Sequence, residues 1–591
     1  MLPSSERSEK YQENLQRIEE LSKRLIEVLS NRSNQNQKFM QTDQELVART
    51  GLASFADMVA NPTKVFENQV SYWGQSLNLW METQKSLLDF PNKSDSSSKA
   101  TPKDKRFKSD LWDTPYFKLI KDHYFLNTQM ITSYFENMEG LSDSDRKRIE
   151  FFSQQITDLL SPANFLATNP EALDKAIKTE GQSLVNGLEN LVSDLEKNDG
   201  DLQVTLCDPD AFKVGENLAT TEGEVVFRND LYELIHYHPK TEKVKEIPLV
   251  IIPPWINKYY ILDLRPDNSF IRWVVDQGYQ LFVVSWVNPD HSHRDVGMDT
   301  YTMDGCISAI DEVCNYTSSN KVNAIGYCIG GTLLALALAY MSKTNTDKVR
   351  SATFFTTLTD FEDIGELGIF LGDDFINGVD EILEENGYLP GKSMANAFSY
   401  LRANDLVYGP AIRSYLLGES PKAFDLLHWN GDSTNLPGRM AREYFHDLIR
   451  NNSFTKGEYE LNGIKLSLKD ITVPLSVVAC ESDHLVDWKV SFDGIKKMRS
   501  RSKKFFLAES GHVAGVVNPP TKIKYGHYTN SKNPSSLEEW KQTAEYHKET
   551  WWPAWEKWLA TRSGKTLDVN SITHMESNLG PAPGEYILVT I

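Results

Sequence analysis

Apolar positions over residues 1–200 recur with the spacing of helices. Residues 4–30 carry one apolar stripe among Glu, Lys and Arg, which predicts an amphipathic helix. We expect this helix to pack on its own protein or on a sister subunit. A second helical pattern covers 65–90, and the polar, Ser- and Lys-rich stretch 91–105 is typical of a flexible linker. Helical spacing resumes over 106–195, so residues 1–200 are predicted to form a helical N-terminal region.

The pattern changes after Asp201, where short apolar runs alternate with helical ones. Residues 225–237 alternate apolar and polar positions and predict two paired strands. Strands alternating with helices predict a largely parallel, doubly wound sheet, in which ligands lie at the carboxyl ends of the strands. The other predicted strands are 247–252, 280–286, 322–325, 350–357, 473–480 and 503–508, and predicted helices include 269–277, 303–316 and 332–341.

A tight turn rich in glycine joins the strand 322–325 to the helix 332–341. Strand, turn and helix are the context of a nucleophile elbow, and Cys328 occupies the nucleophile position. Gly326 and Gly330 flank it because a side chain there would collide with the turn or with the neighbouring strand. The alternative interpretation of Cys328 is a buried structural cysteine.

A cysteine nucleophile needs a base, and the base needs an orienting acid. Asp483 and His512 each follow a predicted strand, and the order Cys328, Asp483, His512 is that of the α/β-hydrolase fold. We therefore predict these three as the catalytic residues. Asp360 also ends a strand and is an alternative acid, whereas Asp487 is expected to be a solvated loop residue.

An oxyanion on the substrate carbonyl requires preorganised N–H donors. The Ile329 N–H, next to the nucleophile, is predicted to be one donor, and the N–H of Trp255 or Ile256 is predicted to be the other. Between Cys328 and Asp483 the chain is longer than the sheet requires, so residues 361–466 predict a cap insertion. A capped site excludes water and suits acyl transfer to another acceptor, and a thioester on cysteine keeps the acyl group activated.

The composition of the chain argues against several classes of binding partner and cofactor. The formal net charge of -20 disfavours nucleic acid and anionic membranes. Five scattered cysteines without a C-x-x-C pair indicate neither a disulfide framework nor a zinc site. The histidine pairs His236/His238 and His291/His293 have no carboxylate or cysteine at metal-ligand spacing, so we assign no metal. With no signal sequence and no apolar stretch long enough to span a bilayer, we expect a cytoplasmic protein without a transmembrane segment.

Several strings resemble the polyhydroxyalkanoate synthases, specifically the long, single-subunit class I type. The resemblance runs from about residue 106 to the end, whereas residues 1–105 match only in helical character. The matching strings include PPWINKYYILDLRPDNS (253–269), GYCIGGT (326–332), FDLLHWNGDSTNLPG (424–438), ESDHLVDW (481–488), SGHVAGVVNPP (510–520) and LGPAPGEYI (579–587).

The resemblance implies an α/β-hydrolase domain over 201–591 that polymerises (R)-3-hydroxyacyl-CoA, typically 3-hydroxybutyryl-CoA, with release of CoA and without a cofactor. It implies that Cys328 carries the acyl group and that His512 is the base. Asp483 either orients His512 or activates the substrate hydroxyl. It further implies a homodimer at the surface of polyester granules, with the N-terminal region serving dimerisation and granule association and with phasin-type granule proteins as further partners.

Three more residues are candidates for substrate contacts. Ala514 matches a position that influences side-chain length in the family, and Trp255 stands where some relatives have a smaller residue. Arg402 is a candidate for the CoA side, with a buried ion pair as its alternative role. Two other functions remain open, a hydrolase on the same fold and a granule-binding scaffold without activity.

Overall fold

The computed structural model divides into two compact units, one formed by residues 1–208 with 398–422 and the other by 209–397 with 423–591. The predicted helix over 65–90 and the predicted linker lie almost entirely outside the described residues. The structure describes residues 4–30, 79, 81, 104–136, 142–200, 202–365, 367–368, 373–532, 534, 536–571 and 577–590.

Helices form the first unit, as the spacing of apolar residues predicts. The first helix packs its apolar stripe on the last one, where Leu21 contacts Val185 and Val192. An ion pair of 2.8 Å between Arg17 and Glu189 borders this contact. The N-terminal helices are α1 (Ser4–Ser30), α2 (Pro115–Glu136), α3 (Asp143–Leu159), α4 (Pro170–Lys178) and α5 (Gln182–Lys197), with 3-10 turns at Lys105–Phe107, Asp110–Asp113, Pro162–Asn164 and Leu166–Thr168.

Part of the predicted cap belongs to this first unit. Residues 398–422 include the helical turns Asn404–Tyr408, Gly409–Ala411 and Ile412–Leu416. The Tyr415 hydroxyl donates a hydrogen bond of 2.6 Å to Asp194 on α5. The sequence pattern of the cap did not separate this stretch from the rest, because its partners lie more than two hundred residues away.

A ten-stranded sheet forms the centre of the second unit, with the strand order β1-β2-β4-β3-β5-β6-β7-β8-β9-β10. The six strands from β4 to β8 in this order are parallel, and the two at each edge are antiparallel. The strands are β1 (Gly223–Arg228), β2 (Tyr232–Tyr237), β3 (Leu249–Ile252), β4 (Leu281–Trp286), β5 (Val322–Tyr327), β6 (Val349–Phe355), β7 (Leu475–Cys480), β8 (Lys503–Ala508), β9 (His527–Thr529) and β10 (Glu545–His547).

The central strands are buried along their whole length, as the continuous apolar runs predict. Four two-stranded ribbons lie outside the main sheet, at 243–245 with 566–568, 263–265 with 268–269, 388–389 with 436–437, and 459–461 with 464–466. The helices of this unit are α6 (Phe270–Asp276), α7 (Ser308–Thr317), α8 (Ile329–Lys343), α9 (Asp373–Asn386), α10 (Gly391–Leu401, whose end enters the first unit), α11 (Asp425–Gly431), α12 (Gly438–Glu443), α13 (Trp488–Lys497), α14 (Leu537–Gln542) and α15 (Trp552–Ala560), with shorter helical turns at Tyr259–Leu262, His291–His293, Met298–Thr300, Tyr301–Ile307, Tyr444–Arg450, Ser453–Lys456, Leu468–Asp470, Pro520–Lys522, Val569–Ser571 and Tyr586–Leu588.

The segment 577–590 lies along the outer edge of β1. The Val225 N–H donates to the Gly580 carbonyl at 2.9 Å, and the Ala582 N–H donates to the Gly223 carbonyl at 2.9 Å. Farther along, the backbone N–H of Glu585 donates to the buried Glu233 carboxylate at 2.9 Å. The string 579–587, quoted above for its resemblance, therefore completes one side of the sheet.

Candidate active site

Cys328 lies at the sharp turn between β5 and α8, as the elbow pattern predicts. Its backbone has φ 52° and ψ -125°, a strained conformation for a residue with a side chain. The Cys328 N–H donates a hydrogen bond of 2.9 Å to the Phe355 carbonyl at the end of β6. The turn is thus fixed by the neighbouring strand, and the thiol lies at the carboxyl edge of the sheet.

The flanking glycines are required by close backbone approach. A Cβ on Gly326 would lie 2.4 Å from the Gly331 Cα. A Cβ on Gly330 would lie 2.4 Å from the carbonyl oxygens of both Ile252 and Pro253. The loop after β3 therefore rests directly on the elbow, and this loop, residues 253–258, is called the oxyanion loop below.

Asp483 and His512 come together from the ends of β7 and β8. The His512 Nδ1 and the Asp483 Oδ2 are 2.7 Å apart, and both side chains are buried. The other carboxylate oxygen of Asp483 accepts backbone hydrogen bonds of 2.9 and 3.0 Å from Leu485 and Val486. Asp483 is thereby held in one orientation, and the second ring nitrogen of His512 is the one available to the Cys328 thiol, which is an electrostatic partner of the imidazole.

Opposing effects determine the pKa of His512. Burial alone would lower it, but the charges of Asp483 and Cys328 and the hydrogen bonds to both raise this pKa well above its ordinary value. The Tyr327 ring stacks on the imidazole with centroids 5.9 Å apart and an interplanar angle of 21°. The arrangement favours a protonated imidazole beside the Cys328 thiol, the setting in which a cysteine acts as a nucleophile.

Aromatic side chains surround the thiol. Burial raises the pKa of Tyr444, and the charge of Cys328 raises it further, so this phenol stays protonated close to the nucleophile. Trp255 is buried and packs edge-on against Tyr444 with centroids 6.1 Å apart. Sequence reasoning missed Tyr444 and Tyr327, although Tyr327 directly precedes the nucleophile in the elbow string.

Two backbone N–H groups are available where an oxyanion would form. Ile329 is the first residue of α8, so its N–H has no acceptor within the helix, and the helix dipole favours negative charge there. Within the described part of the chain, no acceptor is found for the N–H of Trp255 or of Ile256. Pro253 and Pro254 have no N–H. The two predicted positions of the second donor thus remain predictions at this point.

The other two carboxylates considered for the acid, Asp360 and Asp487, make contacts with other residues. Asp360 forms an ion pair of 2.5 Å with Lys497 and accepts a hydrogen bond of 2.9 Å from Asn452. Asp487 caps α13 by accepting from the Lys489 N–H. Among these carboxylates, Asp483 is the one that contacts His512.

The remaining candidates have different surroundings. Ala514 is half-buried in the turn that follows His512. Arg402 is exposed and belongs to the first unit, whereas the cysteine, histidine and aspartate belong to the second. Their roles in substrate binding stay predictions.

The described ranges contain no group of three or more His, Cys, Asp or Glu side chains placed to hold a metal ion. Nor do they contain a helix of the length and apolar character needed to cross a membrane.

Comparison with known proteins identifies the family. Residues 103–274 match the family described as the N-terminus of poly-beta-hydroxybutyrate polymerase, and residues 262–519 match the alpha/beta hydrolase fold. The chain is 42% identical over 489 residues to a poly(3-hydroxyalkanoate) polymerase of Methylorubrum extorquens, covering 82% of this chain and 81% of that protein.

Two further relatives agree. A poly(3-hydroxyalkanoate) polymerase subunit PhaC of Cupriavidus necator is 39% identical over 494 residues, covering 82% of this chain and 83% of that protein. A subunit of the same name from Rhizobium meliloti is 36% identical over 532 residues, covering 90% of this chain and 87% of that protein. The chain, an α/β-hydrolase-fold protein with a helical N-terminal region, therefore belongs to the poly(3-hydroxyalkanoate) polymerase family.

Proposed function

We propose that the protein polymerises (R)-3-hydroxyacyl-CoA into polyhydroxyalkanoate and releases CoA, with short-chain units such as 3-hydroxybutyryl-CoA as substrate. The observation that carries the proposal is the buried contact of 2.7 Å between His512 and Asp483 beside the Cys328 thiol. Family membership supports the polymer as product. The cysteine supports acyl transfer, because a thioester intermediate keeps the acyl group activated for a second acceptor.

In the first half-reaction the Cys328 thiolate attacks the thioester carbonyl of the substrate. The carbonyl oxygen becomes an oxyanion that the N–H groups of Ile329 and Ile256 stabilise. When the C–S bond to CoA breaks, the leaving thiolate takes the proton held by the His512 imidazolium. The products are CoA as its thiol and an acyl group bound to Cys328 as a thioester.

In the second half-reaction a hydroxyl group, from the growing chain or from an incoming unit, attacks the acyl-Cys328 thioester. Neutral His512 accepts the proton of that hydroxyl, and Asp483 stabilises the imidazolium that forms. The new ester bond lengthens the chain by one unit, and the thiolate is regenerated. In this scheme Asp483 orients His512 and does not take the hydroxyl proton itself.

The proposal extends to assembly and location. We propose that the protein acts as a homodimer at the surface of polyester granules, where phasin-type proteins are its neighbours. Exposed apolar side chains on the first unit support an apolar surface as partner, among them Ile156, Leu160 and Ile177. Light scattering with and without an emulsion of the polymer tests the homodimer and the binding to the polymer surface. A protein that is monomeric and does not bind the emulsion would contradict both.

The test of the chemistry is CoA release from (R)-3-hydroxybutyryl-CoA, with the insoluble product weighed. We expect CoA release with polymer accumulating in the wild type, and loss of both in Cys328→Ala. Cys314→Ala is the matched control, since Cys314 lies on α7 away from the elbow. Release of free 3-hydroxybutyrate without polymer would replace the proposal by a hydrolase, and no release from this or a longer-chain substrate would contradict the chemistry.

A further inference from the structure

Part of the string 424–438 lies close to the candidate active site. Its residues 429–434 contact the oxyanion loop. Residues 257 and 433 form an antiparallel bridge between the two segments. The Trp429 Nε1–H donates a hydrogen bond of 2.7 Å to the Lys258 carbonyl. The Lys258 ammonium pairs at 2.5 Å with Asp432, and both side chains are largely buried.

Thr434 makes two contacts with the middle of the loop. Its N–H donates to the Ile256 carbonyl at 3.2 Å. Its hydroxyl donates to the Trp255 carbonyl at 2.5 Å, and both residues are buried. At the start of the loop, the Trp286 indole N–H donates to the Pro253 carbonyl at 2.9 Å. The loop carbonyls are thus held by donors from outside the loop.

Because each peptide unit is planar, a contact that holds a carbonyl group also fixes the direction of the N–H in the same unit. The carbonyl of one residue and the N–H of the next share one rigid plane and, in the trans form, point in opposite directions. The Thr434 hydroxyl holds the Trp255 carbonyl, so it also fixes the direction of the Ile256 N–H. The Trp255 N–H shares its plane with the Pro254 carbonyl and is not controlled by this bond.

The Ile256 N–H is a donor without an acceptor in the described part of the chain, although Ile256 is buried. A buried, unpaired backbone N–H is rare in proteins unless a ligand uses it. The close approach of Gly330 to Pro253 seats the loop on the elbow that carries the nucleophile. We infer that Thr434 is a positioning residue that aims the Ile256 N–H at the oxyanion, an inference that rests on the proposed acyl-transfer function.

Thr434→Val tests this inference, since valine keeps the shape and removes the hydroxyl. We expect kcat for CoA release from (R)-3-hydroxybutyryl-CoA to fall by about 10- to 100-fold, because removing a whole oxyanion donor costs about 100- to 1000-fold and misalignment costs part of that. KM should stay within about threefold, since the oxyanion forms only after binding. Thr434→Ser keeps the hydroxyl and should recover most of the activity.

Alkylation of Cys328 by iodoacetamide separates positioning from general damage. This displacement at a saturated carbon forms no oxyanion, so Thr434→Val should react at the wild-type rate while its acyl transfer is slow. Thr317→Val is the matched control, because the Thr317 hydroxyl bonds the Val313 carbonyl at 2.7 Å on α7, away from the loop. It should leave both rates unchanged.

Three outcomes decide against the inference. Unchanged turnover in Thr434→Val would show that its hydroxyl does not set the donor. A parallel fall in turnover and alkylation would show a disturbed elbow, and failure of Thr434→Ser to recover would show that side-chain bulk matters instead. Failure of the wild type to release CoA would contradict the proposed function itself. The wild-type assay alone shows this result, so it is distinguishable from a failure of the inference about Thr434.

Discussion

At His512, burial and charge act in opposite directions, and charge prevails. Asp483 supplies the first opposing charge, and its own orientation is fixed by the backbone N–H groups of Leu485 and Val486. The imidazole therefore holds its proton over a wider pH range than a free histidine does. A protonated imidazole places a positive charge beside the Cys328 thiol, so the reactivity of the cysteine depends on Asp483, the carboxylate that contacts the imidazole.

Asp483→Asn should shift the pH dependence of this reactivity. Removing the negative charge lowers the pKa of His512, so less imidazolium is present beside Cys328 at pH 7. We expect iodoacetamide alkylation of Cys328 at pH 7 to slow by about tenfold or more, because the imidazolium that activates the thiol is lost at a lower pH. The measurement is the rate of alkylation from pH 5 to 10.

Asp487→Asn serves as the comparison, since Asp487 caps α13 in the loop that carries Asp483, whereas Asp483 is the carboxylate that contacts His512. Its profile should match that of the wild type. A wild-type profile in Asp483→Asn as well would mean that the carboxylate does not control the imidazole, contrary to the geometry.

Among the elements, the ion pair of Asp360 with Lys497 joins the loop that follows β6 to the last residue of α13. Burial would raise the pKa of Asp360, but the pairing with Lys497 and the hydrogen bond from Asn452 outweigh it, so this pKa is lowered. A lowered folded-state pKa contributes stability above the unfolded value of about 3.9, and that contribution is lost as the pH falls through the folded value. The pair thus holds this loop and the helix together at neutral pH.

Asp360→Asn should reduce the free energy of unfolding at pH 7 by about 1 to 3 kcal/mol. This is less than for a fully buried pair, because the Lys497 side chain is 37% exposed. Denaturant unfolding at pH 7 and at pH 3 measures this change, and the difference from the wild type should shrink at pH 3, which lies below the unfolded pKa of about 3.9. Turnover of the folded variant should stay within about threefold. A loss comparable to that of Asp483→Asn would restore Asp360 as the catalytic acid.

Features of the fold and of the site could be predicted from the sequence where the residues that form them are close together in the chain. The elbow at Cys328 is a strand, a turn and a helix in one short string, and β8 begins and ends at the predicted residues. β9 and β10 have only three residues each, too few to show a period, and the pattern missed them. The contact of Thr434 with Trp255 joins segments about 180 residues apart, and no single-sequence pattern carries such a pairing.

Across the whole molecule, the five cysteines lie in very different surroundings, and Cys207 is buried. Burial raises the pKa of Cys306 and Cys480 far above the ordinary thiol value. Burial also raises the pKa of Cys314, to about 11. Thiols in such surroundings stay protonated at neutral pH and react slowly.

Brief treatment with iodoacetamide at pH 7 should therefore label the native protein once, at Cys328. Peptide mass spectrometry identifies the labelled residue, and unfolded protein should take up label at all five positions. His512→Gln provides the control, since it removes the imidazolium that stabilises the thiolate and should suppress the labelling. Equal labelling of Cys314 and Cys328 in the native protein would contradict the special environment of the elbow.

The segment 577–590 beside β1 also bears on aggregation. An open strand edge offers unpaired N–H and carbonyl groups on which another chain can form a further strand. Here the edge of β1 is occupied by a stretch whose Pro581 and Pro583 have no N–H to offer, and the opposite edge ends in the three-residue β10. Both ends of the sheet are therefore poor templates for intermolecular β-pairing, which should keep copies of the protein from joining edge to edge even at high local concentration.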